Sequence, residues 1–338
     1  MRSFITPLCH GYDVKFSPFA RDLLACVGGQ HYGISGQGSL FVLQLTDEGL
    51  KLFNRGEWCD TLFSIAWSEN NERLLVCGSG DGSIQLWDTA VGAANPDVAM
   101  VPHLTLKEHS LEVSDVCWAC PRGGPQQLLS ASWDSSVKLW DVEAAKGSLR
   151  TFRSHAGPIY CAKWCPHAPG LFASVAADGT AALCDVRSAA TGVQNVFPCH
   201  QAEALSFDWN KYAPHLLATA SVDGSVRGWD TRHPAQPVFV LQGHAMAVRR
   251  VCCSPHAGDR YATASYDCTV RAWSSSAAST AASGGALGIG HSSCLQQLHH
   301  HTEFVYGLDC SLHEPGLVAD CSWDSTIKVY HLPALVAT

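Results

Sequence analysis

Leu216–Asp230, with the sequence LLATASVDGSVRGWD, contains an apolar run, an Asp-Gly turn and a second run that ends in Trp-Asp. Alternating apolar residues on both sides of an Asp-Gly pair are typical of two antiparallel strands joined by a tight turn. Asp223 marks this turn, and the segment recurs with changes along the chain. The counterparts of Asp223 are Asp81, Asp134, Asp178, Asp267 and Asp324.

Two further residues keep nearly constant distances from the turn aspartate. Six residues after it stands an aromatic residue or, once, a cysteine: Trp87, Trp140, Cys184, Trp229, Trp273 and Tyr330. A histidine precedes it by 23 residues in four copies, at His155, His200, His244 and His301, and by 25 at His109. From Asp134 to Asp267 the copies are 44 or 45 residues apart. This period is typical of the four-stranded blade of a β-propeller.

We therefore predict an all-β chain that forms one seven-bladed β-propeller over residues 1–338. Arg2–Thr6 has no local partner, so we expect it to complete the last blade, close the ring and remove an exposed sheet edge. The predicted blades are residues 11–53, 58–106, 109–153, 155–197, 200–241, 244–298 and 301–331, the last together with residues 2–6.

Composition limits the function classes. With 46% hydrophobic residues the chain is predicted to form a packed core. A net charge of −8 leaves no basic surface for nucleic acid. Met1–His10 lacks the apolar core of a secretory signal, and no run of 18 apolar residues occurs, so we expect a soluble intracellular protein that does not span a membrane. The sixteen cysteines are then expected to be reduced thiols.

Some copies are irregular. The first blade has Gln37 in the place of the turn aspartate and Leu43 in that of the tryptophan, so we expect packing alone to hold it. Trp58 replaces the histidine of the second blade. Longer spacings predict a surface loop at Val91–Pro102 and a flexible insertion at Ser274–Cys294, where sixteen of 21 residues are Ser, Ala or Gly.

The recurring Asp, His and hydroxyl residues could suggest a hydrolase triad. An enzyme does not need five copies, so we interpret them as a structural network in which the aspartate binds the histidine, the histidine a strand hydroxyl, and the hydroxyl the indole. Thr219 and Ser221 both remain candidates for that hydroxyl. The network residues are His109, Asp134, Trp140, His155, Asp178, His200, Asp223, Trp229, His244, Asp267, Trp273, His301 and Asp324.

We predict no metal site and no cofactor. Cys117-Trp-Ala-Cys120 is a lone pair of cysteines, whereas structural zinc needs a second pair. Cys161 and Cys165 are expected in the core. Of His299-His300-His301, the last already belongs to the blade network.

Function is expected at one end of the propeller, which we call the rim. It is formed by the residue before each turn aspartate and by the third and fifth residues after each blade histidine. These positions collect Tyr12, Phe63, Trp133, Tyr160, Tyr266, Phe304, Tyr306 and Trp323, with Glu112, Glu203 and Arg249 as the charged residues. Aromatic residues around sparse charges are typical of an interface. Alternatively, several of these side chains pack inward around the central channel.

The repeats resemble the WD-repeat propeller family along essentially the whole chain. Within it, FSPFARDLLACVGGQHYGISGQGSLFVL (residues 16–43) and WCDTLFSIAWSENNERLLVCGSGDGSIQLWD (residues 58–88) are similar to the cytosolic receptors for the type 2 peroxisomal targeting signal. The Ser/Ala/Gly insertion departs from that pattern.

This resemblance implies a cargo receptor and no enzyme. Its ligand would be an N-terminal amphipathic helix, Arg-Leu-x5-His/Gln-Leu, on peroxisomal matrix enzymes such as a thiolase. Further implied partners are a co-receptor, in the form of a receptor for the C-terminal tripeptide signal, and peroxisomal docking proteins. The receptor would cycle between the cytoplasm and the peroxisome. Glu112 and Glu203 are the candidate carboxylates for the signal arginine, with Asp13 and Asp60 at the margin.

Two other functions stay open. A generic WD-repeat scaffold or adaptor in a chromatin or ubiquitin-ligase complex would share the fold, and fold alone does not decide function. A propeller hydrolase or metalloenzyme would need a cluster of acids or histidines near the channel that does not repeat, and the sequence offers none.

The insertion provides a first test. Shortening Ser274–Cys294 to a few residues is expected to leave the melting temperature within a few degrees of wild type, because the entropy of loop closure changes slowly with loop length. Thermal unfolding of the shortened protein measures this. Aggregation of that protein would mean that the segment packs against the blades.

Overall fold

Seven sheets, each built on four antiparallel strands, follow one another along the chain in the computed structural model, which describes residues 1–91, 99–119, 126–144, 147–189, 191–276, 290–291 and 293–336. This confirms the predicted all-β, seven-bladed propeller. Within the described ranges, no helix is long and apolar enough to cross a membrane.

The strands are numbered in chain order, and each blade begins with its inner strand. The first three blades contain β2 (His10–Phe16), β3 (Leu23–Gly29), β4 (Gly38–Thr46) and β5 (Gly49–Trp58); β6 (Leu62–Trp67), β7 (Leu74–Ser79), β8 (Ser83–Asp88) and β9 (Leu104–Lys107); and β10 (Val113–Trp118), β11 (Gln127–Ser132), β12 (Val137–Asp141) and β13 (Ser148–Phe152). The next two contain β14 (Ile159–Trp164), β15 (Leu171–Ala176), β16 (Thr180–Asp185) and β17 (Val193–Pro198), and β18 (Ala204–Trp209), β19 (Leu216–Ser221), β20 (Ser225–Asp230) and β21 (Phe239–Gln242). The last two contain β22 (Val248–Cys253), β23 (Arg260–Ser265), β24 (Val270–Ser274) and β26 (Ser293–Leu298), and β27 (Val305–Cys310), β28 (Leu317–Ser322) and β29 (Thr326–His331).

The N-terminal strand closes the ring. β1 (Arg2–Ile5) pairs antiparallel with β29, with Arg2 opposite Val329 and Ile5 opposite Thr326, and so becomes the fourth strand of the seventh blade. The closure predicted from the sequence is thereby confirmed. It joins the two ends of the chain in one sheet, so the first and last blades cannot separate without breaking this ladder.

The core lies between neighbouring blades. Phe207 and Trp209 on β18 pack with Val175 and Leu183 of the preceding blade, and both aromatic rings are almost completely buried. Comparable clusters join the other neighbours, for example Val116 and Trp118 on β10 with Leu86 of the second blade. Each blade therefore buries its apolar faces against its two neighbours in the ring, as repeat proteins do.

The Asp–His–hydroxyl–Trp chain is present in the third, fifth and sixth blades. In the fifth, His200 Nδ1 lies 3.0 Å from Asp223 Oδ2 and its Nε2 lies 2.8 Å from Thr219 Oγ1. Trp229 Nε1 donates to the same hydroxyl at 3.0 Å. Ser221 instead accepts from the backbone N–H of Asp223. The hydroxyl left open by the sequence is thus Thr219, and Ser130 and Thr263 take its place in the third and sixth blades.

Two blades hold incomplete versions of the chain. In the fourth, His155 reaches Asp178 and Ser174, but Cys184 stands where the indole would donate. In the second, Cys77 occupies the hydroxyl position opposite Gln85, so the indole N–H of Trp87 faces a thiol and not a hydroxyl.

The first blade is not held by packing alone, which corrects the prediction. Its Gln30–Gly38 segment is closed by hydrogen bonds: the N–H of Gln37 donates to Gln30 Oε1, and the N–H of Gln30 donates to the carbonyl of Gln37. Tyr12 Oη also donates to the carbonyl of Tyr32 at 2.7 Å. Buried polar groups need partners in any blade, and this one supplies them through different residues.

The seventh blade replaces the hydroxyl by a carboxylate. His301 Nδ1 lies 2.8 Å from Asp324, and its Nε2 lies 2.9 Å from the fully buried Asp320, which also accepts from His300 and from Tyr330 Oη. A carboxylate only accepts, so both ring nitrogens of His301 must donate. Burial opposes its charge, but the two carboxylates outweigh burial and raise the pKa of His301 above 6.5. His244, which meets a threonine hydroxyl instead, has its pKa lowered by burial.

His300, His301 and Asp320 bring potential metal-ligating atoms within 4.8 Å of one another. Both nitrogens of His301 and both oxygens of Asp320 are already used in hydrogen bonds to protein groups. A bound ion would have to displace those contacts. The arrangement therefore serves as the seventh blade's version of the structural network.

The structure changes the predicted bounds of both long loops. Ser274 ends β24, β25 (Gly290–His291) pairs in parallel with Phe239–Val240, and Ser293–Cys294 begins β26. These residues have ladder partners, so the insertion predicted at Ser274–Cys294 is shorter, and residues 277–289 lie outside the described part. A deletion should stay within 277–289. In the Val91–Pro102 loop, where residues 92–98 also lie outside it, Met100 is buried and its N–H donates to the carbonyl of Arg55.

The cysteines form no disulfides in the part of the chain that the structure describes. The fifteen cysteines in the described part of the chain are free thiols. Cys161 and Cys165 are buried, whereas Cys117 is half-buried and Cys120 lies outside the described residues. Burial raises the pKa of the Cys117 thiol to about 12, so it stays protonated at neutral pH.

Replacement of Asp223 by alanine is expected to destabilise the fold. Asp223 accepts from His200, from the backbone and hydroxyl of Ser225, and from Arg227. An unpaired buried donor costs about 1–3 kcal/mol, and the His200 side chain is fully buried. Asp81→Ala is the matched control, because the second blade has no histidine that would lose its hydrogen-bond partner. Chemical unfolding should show a larger loss for Asp223→Ala, and equal losses would contradict the network.

The charge state of His301 predicts a pH dependence. Because its pKa in the folded state is raised, its contribution to stability is complete below pH 6.5 and is lost as the pH rises through the raised value. Asp320→Asn removes one of the two carboxylates and should abolish that component. The measurement is the free energy of unfolding of both proteins between pH 5.5 and 8.5, and their difference should shrink as the pH rises.

Glu314→Gln is the control for this experiment. It removes the carboxylate from an exposed pair with His331 in the same blade, at 3.1 Å. Exposed pairs contribute little, so its pH profile should follow wild type. If Asp320→Asn also keeps the wild-type profile, His301 is not held in its charged form.

Candidate functional site

A β-bulge recurs at one position of all seven inner strands. In each, the pairing with the second strand skips one residue. The skipped residue is the fifth after the blade histidine, or its equivalent: Tyr12, Phe63, Ser114, Tyr160, Leu205, Arg249 and Tyr306. Bulges bend a strand and redirect side chains. We call these seven residues the channel mouth.

A backbone hydrogen bond sets the outer part of the rim. The residue before each turn aspartate donates its N–H to the carbonyl of the third residue after the histidine. Trp133 thus bonds Glu112 at 3.0 Å, Val222 bonds Glu203 at 3.1 Å, and the same bond recurs in the second, fourth, sixth and seventh blades. The three sequence positions assigned to the rim therefore lie next to one another in these blades.

The rim aromatics form one continuous arc. Neighbouring side chains in the arc have ring centroids no more than 6.3 Å apart. Around the propeller, the arc runs in the order Tyr266, Phe304, Trp323, Tyr306, Tyr12, Phe63, Trp133 and Tyr160. At its end, Tyr160 Oη donates to Glu203 Oε2 at 2.8 Å. The arc leaves a gap between Tyr160 and Tyr266, where Leu205 of the fifth blade and Arg249 of the sixth line the depression.

Tyr12 does not line the surface, which corrects its assignment as a contact residue. It is 2% exposed, and its hydroxyl donates to the carbonyl of Tyr32. The rings of Phe63, Tyr306 and Trp323 pack around it. It supports the arc from below, as the inward-packing alternative describes. The other seven aromatic residues are half-buried and can contact a ligand.

Sequence reasoning missed Tyr32 as a rim residue. It is 49% exposed, stacks on His10 with 4.0 Å between centroids, and lies 5.4 Å from Trp323. It sits in a short 3-10 turn and has a left-handed backbone. The longer loop between β3 and β4 was the available signal, since the corresponding connection is shorter in every other blade that the structure describes.

The channel mouth opens into a depression of about 230 Å³. Five of its ten lining residues are aromatic, and Glu203 and Arg249 are the charged ones. The lining residues are Phe63, Ser114, Trp133, Tyr160, Glu203, Leu205, Val222, Arg249, Tyr266 and Tyr306.

Two tyrosines at the depression, Tyr160 and Tyr266, are held neutral. Burial, and then Glu203, raise the pKa of Tyr160 far above its usual range. Burial and the neighbouring Tyr306 do the same for the pKa of Tyr266. Their hydroxyls therefore act at neutral pH as hydrogen-bonding groups and not as anions.

The acidic candidates differ in access. Glu203 is exposed and Glu112 is half-buried, so both can meet a ligand. Asp60 is half-buried and accepts from the N–H of Thr61. Asp13 is completely buried, where it pairs with Lys15 and Arg250 and accepts from the N–H of Ile65. Asp13 is thus a structural residue of the channel and not a candidate for cargo.

Below the mouth, the channel is filled by paired charges. Arg250 lies 3.1 Å from Asp13 and 3.9 Å from Asp115, and Asp208 pairs with Lys163 and Lys211. Burial acts to raise the pKa of Asp208, but the two lysines outweigh it and hold the pKa at about 2. Each of these buried ions thus has a partner of opposite charge within the protein.

Comparison with known proteins agrees with this architecture. The family described as WD domain, G-beta repeat, matches residues 55–88, 100–141, 146–185, 192–230, 235–274 and 292–331. The WD40 propeller domain of Doa1 superposes with a TM-score of 0.74 over 99% of this chain and 97% of that one, at 18% identity, which shows a common fold alone.

Curated relatives match nearly the whole chain. The mouse protein named peroxisomal targeting signal 2 receptor is 49% identical, over 97% of this chain and 96% of its own length. The human protein of the same name is also 49% identical, over 97% and 94%. The Saccharomyces cerevisiae protein of that name is 30% identical, over 95% and 96%.

Proposed function

We propose, from the premise that this chain belongs to the WD-repeat family and within it to the family of peroxisomal targeting signal 2 receptors, that it is a cytosolic cargo receptor. Its cargo is a matrix enzyme carrying an N-terminal type 2 signal helix, Arg-Leu-x5-His/Gln-Leu. It delivers this cargo for peroxisomal import together with a co-receptor.

The aromatic arc beside Glu112 and Glu203 is the observation that carries the proposal. The signal's two leucines are seven residues apart, as are its arginine and its His/Gln, so each pair falls on one face of a helix two turns apart. An apolar stripe fits a groove walled by aromatic rings. The neighbouring carboxylates suit the guanidinium, which forms charge-assisted hydrogen bonds to such groups.

The remaining partners follow from the same proposal. The co-receptor is a form of the receptor for the C-terminal tripeptide signal, and peroxisomal docking proteins receive the loaded complex. Matrix enzymes such as a thiolase are the cargo. The receptor cycles between the cytoplasm and the peroxisome. This function is binding without chemistry, so it requires no cofactor.

Reversal of both rim carboxylates, Glu112→Arg with Glu203→Arg, is expected to abolish cargo binding and spare the fold. Removing the carboxylate from a partly desolvated arginine costs about 2–5 kcal/mol, which is roughly a thirtyfold to several-thousandfold loss of affinity. Surface changes alter stability by only about 0.5 kcal/mol. The measurements are the affinity for a type 2 signal peptide and the melting temperature, with the Glu→Gln variants expected to retain weak binding.

Glu72→Arg with Glu314→Arg is the matched control. Both residues lie in loops at the opposite end of the inner strands from the bulges, in β6–β7 and β27–β28. That double variant should bind the peptide like wild type. If the rim reversal folds and binds as tightly as wild type, cargo binds elsewhere. If the wild-type protein ignores the peptide, with and without co-receptor, the mouth serves another partner, as in a scaffold.

A further inference from the structure

Arg249 is a buried cation without a carboxylate partner. It is 5% exposed, its Nη1 donates to the carbonyl of Leu205 at 3.2 Å, and its guanidinium lies 4.2 Å from the ring centre of Tyr306. Within the described chain, Arg249 takes part in none of the ion pairs, whereas its neighbour Arg250 has two. A guanidinium carries five N–H donors. Arg249 therefore has donors to spare where it lines the depression.

An acceptor lines the same depression. Glu203 belongs to the neighbouring fifth blade, and Tyr160 Oη holds its Oε2 at 2.8 Å. This contact fixes the carboxylate against the wall and leaves Oε1 for another donor. The depression thus contains one group that only donates, Arg249, and one that only accepts, Glu203. Arg249 is buried among aromatic rings, whereas Glu203 lies at the exposed edge of the depression.

We propose that Arg249 and Glu203 form a subsite for one uncharged side chain that both accepts and donates, namely the primary amide or neutral imidazole of the bound signal helix. This deepens the proposed function and rests on it. A ligand carboxylate would pair with Arg249 but would be repelled by Glu203. A cationic ligand group would pair with Glu203 but would be repelled by Arg249. An aliphatic side chain would cover both groups without pairing with either, which is costly because the ligand displaces the water around them.

The subsite also orients the helix. An amide or imidazole seven residues after the signal arginine lies about 10.5 Å along the helix axis from it. With that side chain between the fifth and sixth blades, the arginine extends toward Glu112 on the third blade. Glu112 is then the main partner of the arginine, and Glu203 the acceptor for the amide or imidazole N–H. The leucines that follow each of them face the aromatic arc.

Peptides that differ at this one position test the subsite. Signal peptides carrying Gln or Met there are titrated into wild type, Arg249→Met and Arg271→Met. Arg271 is a matched control, since it lies in the same blade with its guanidinium 5.9 Å from the ring centre of Trp273 and outside the depression. Wild type and Arg271→Met should prefer Gln over Met about tenfold to a hundredfold. Arg249→Met should lose this preference.

The outcomes separate this inference from the function on which it rests. If Arg249→Met keeps the wild-type preference for Gln, the subsite is wrong although the protein remains a signal receptor. If wild type binds neither peptide, the receptor function fails and the subsite with it. The melting temperature of each variant accompanies its titration.

A second measurement uses wild type only and so does not depend on the folding of a variant. Imidazole loses its acceptor when it is protonated, near pH 6.5, whereas an amide does not titrate. The affinity ratio of the Gln to the His peptide should therefore rise as the pH falls from 7.5 to 5.5, and titration of the protein's own groups cancels in that ratio. A ratio that stays constant or falls would overturn Arg249 as the donor to this side chain.

Discussion

The bulge at the start of each inner strand is the constraint on which the channel and its mouth both depend. It places one extra residue at the rim and shifts the next one into the wall of the channel. In that next position, Asp13, Ser64, Asp115 and Ser206 each accept the backbone N–H of a residue on the following inner strand. A single local irregularity, repeated seven times, thus turns one set of side chains toward a ligand and another toward the neighbouring blade.

The buried ions extend this arrangement and fix the ring. Charges in a low dielectric are costly unless paired and hydrogen-bonded, and Arg250 of the sixth blade meets Asp13 of the first and Asp115 of the third across the channel. These contacts join blades that are not adjacent in sequence. Together with the β1–β29 ladder they hold the seven mouth residues in place before any ligand arrives, so binding does not have to supply that ordering.

Repetition explains what the sequence could and could not predict. The blade count, the ring closure and the partners of Asp223 follow from spacings that recur. The bulges could not be found this way, because a register shift depends on pairing with another strand and leaves no fixed residue type at Tyr12, Ser114 or Arg249. For the same reason Tyr12 was assigned to the surface, although its place in the arc puts it beneath Phe63 and Tyr306. The exposed Tyr32 depends on a loop that only the first blade has.

Residues that repeat and residues that do not repeat therefore have different roles in this fold. The Asp–His–hydroxyl chain returns in blade after blade because each sheet must satisfy the same buried groups. At the mouth the geometry is equally repetitive, yet the seven positions carry four aromatic residues, a serine, a leucine and one arginine. Packing alone would favour an apolar residue at the place of Arg249, since a buried cation without a carboxylate is costly. Arg249 lines the same depression as Glu203, in the gap of the aromatic arc. Its presence there is best explained by a ligand group that accepts its hydrogen bonds.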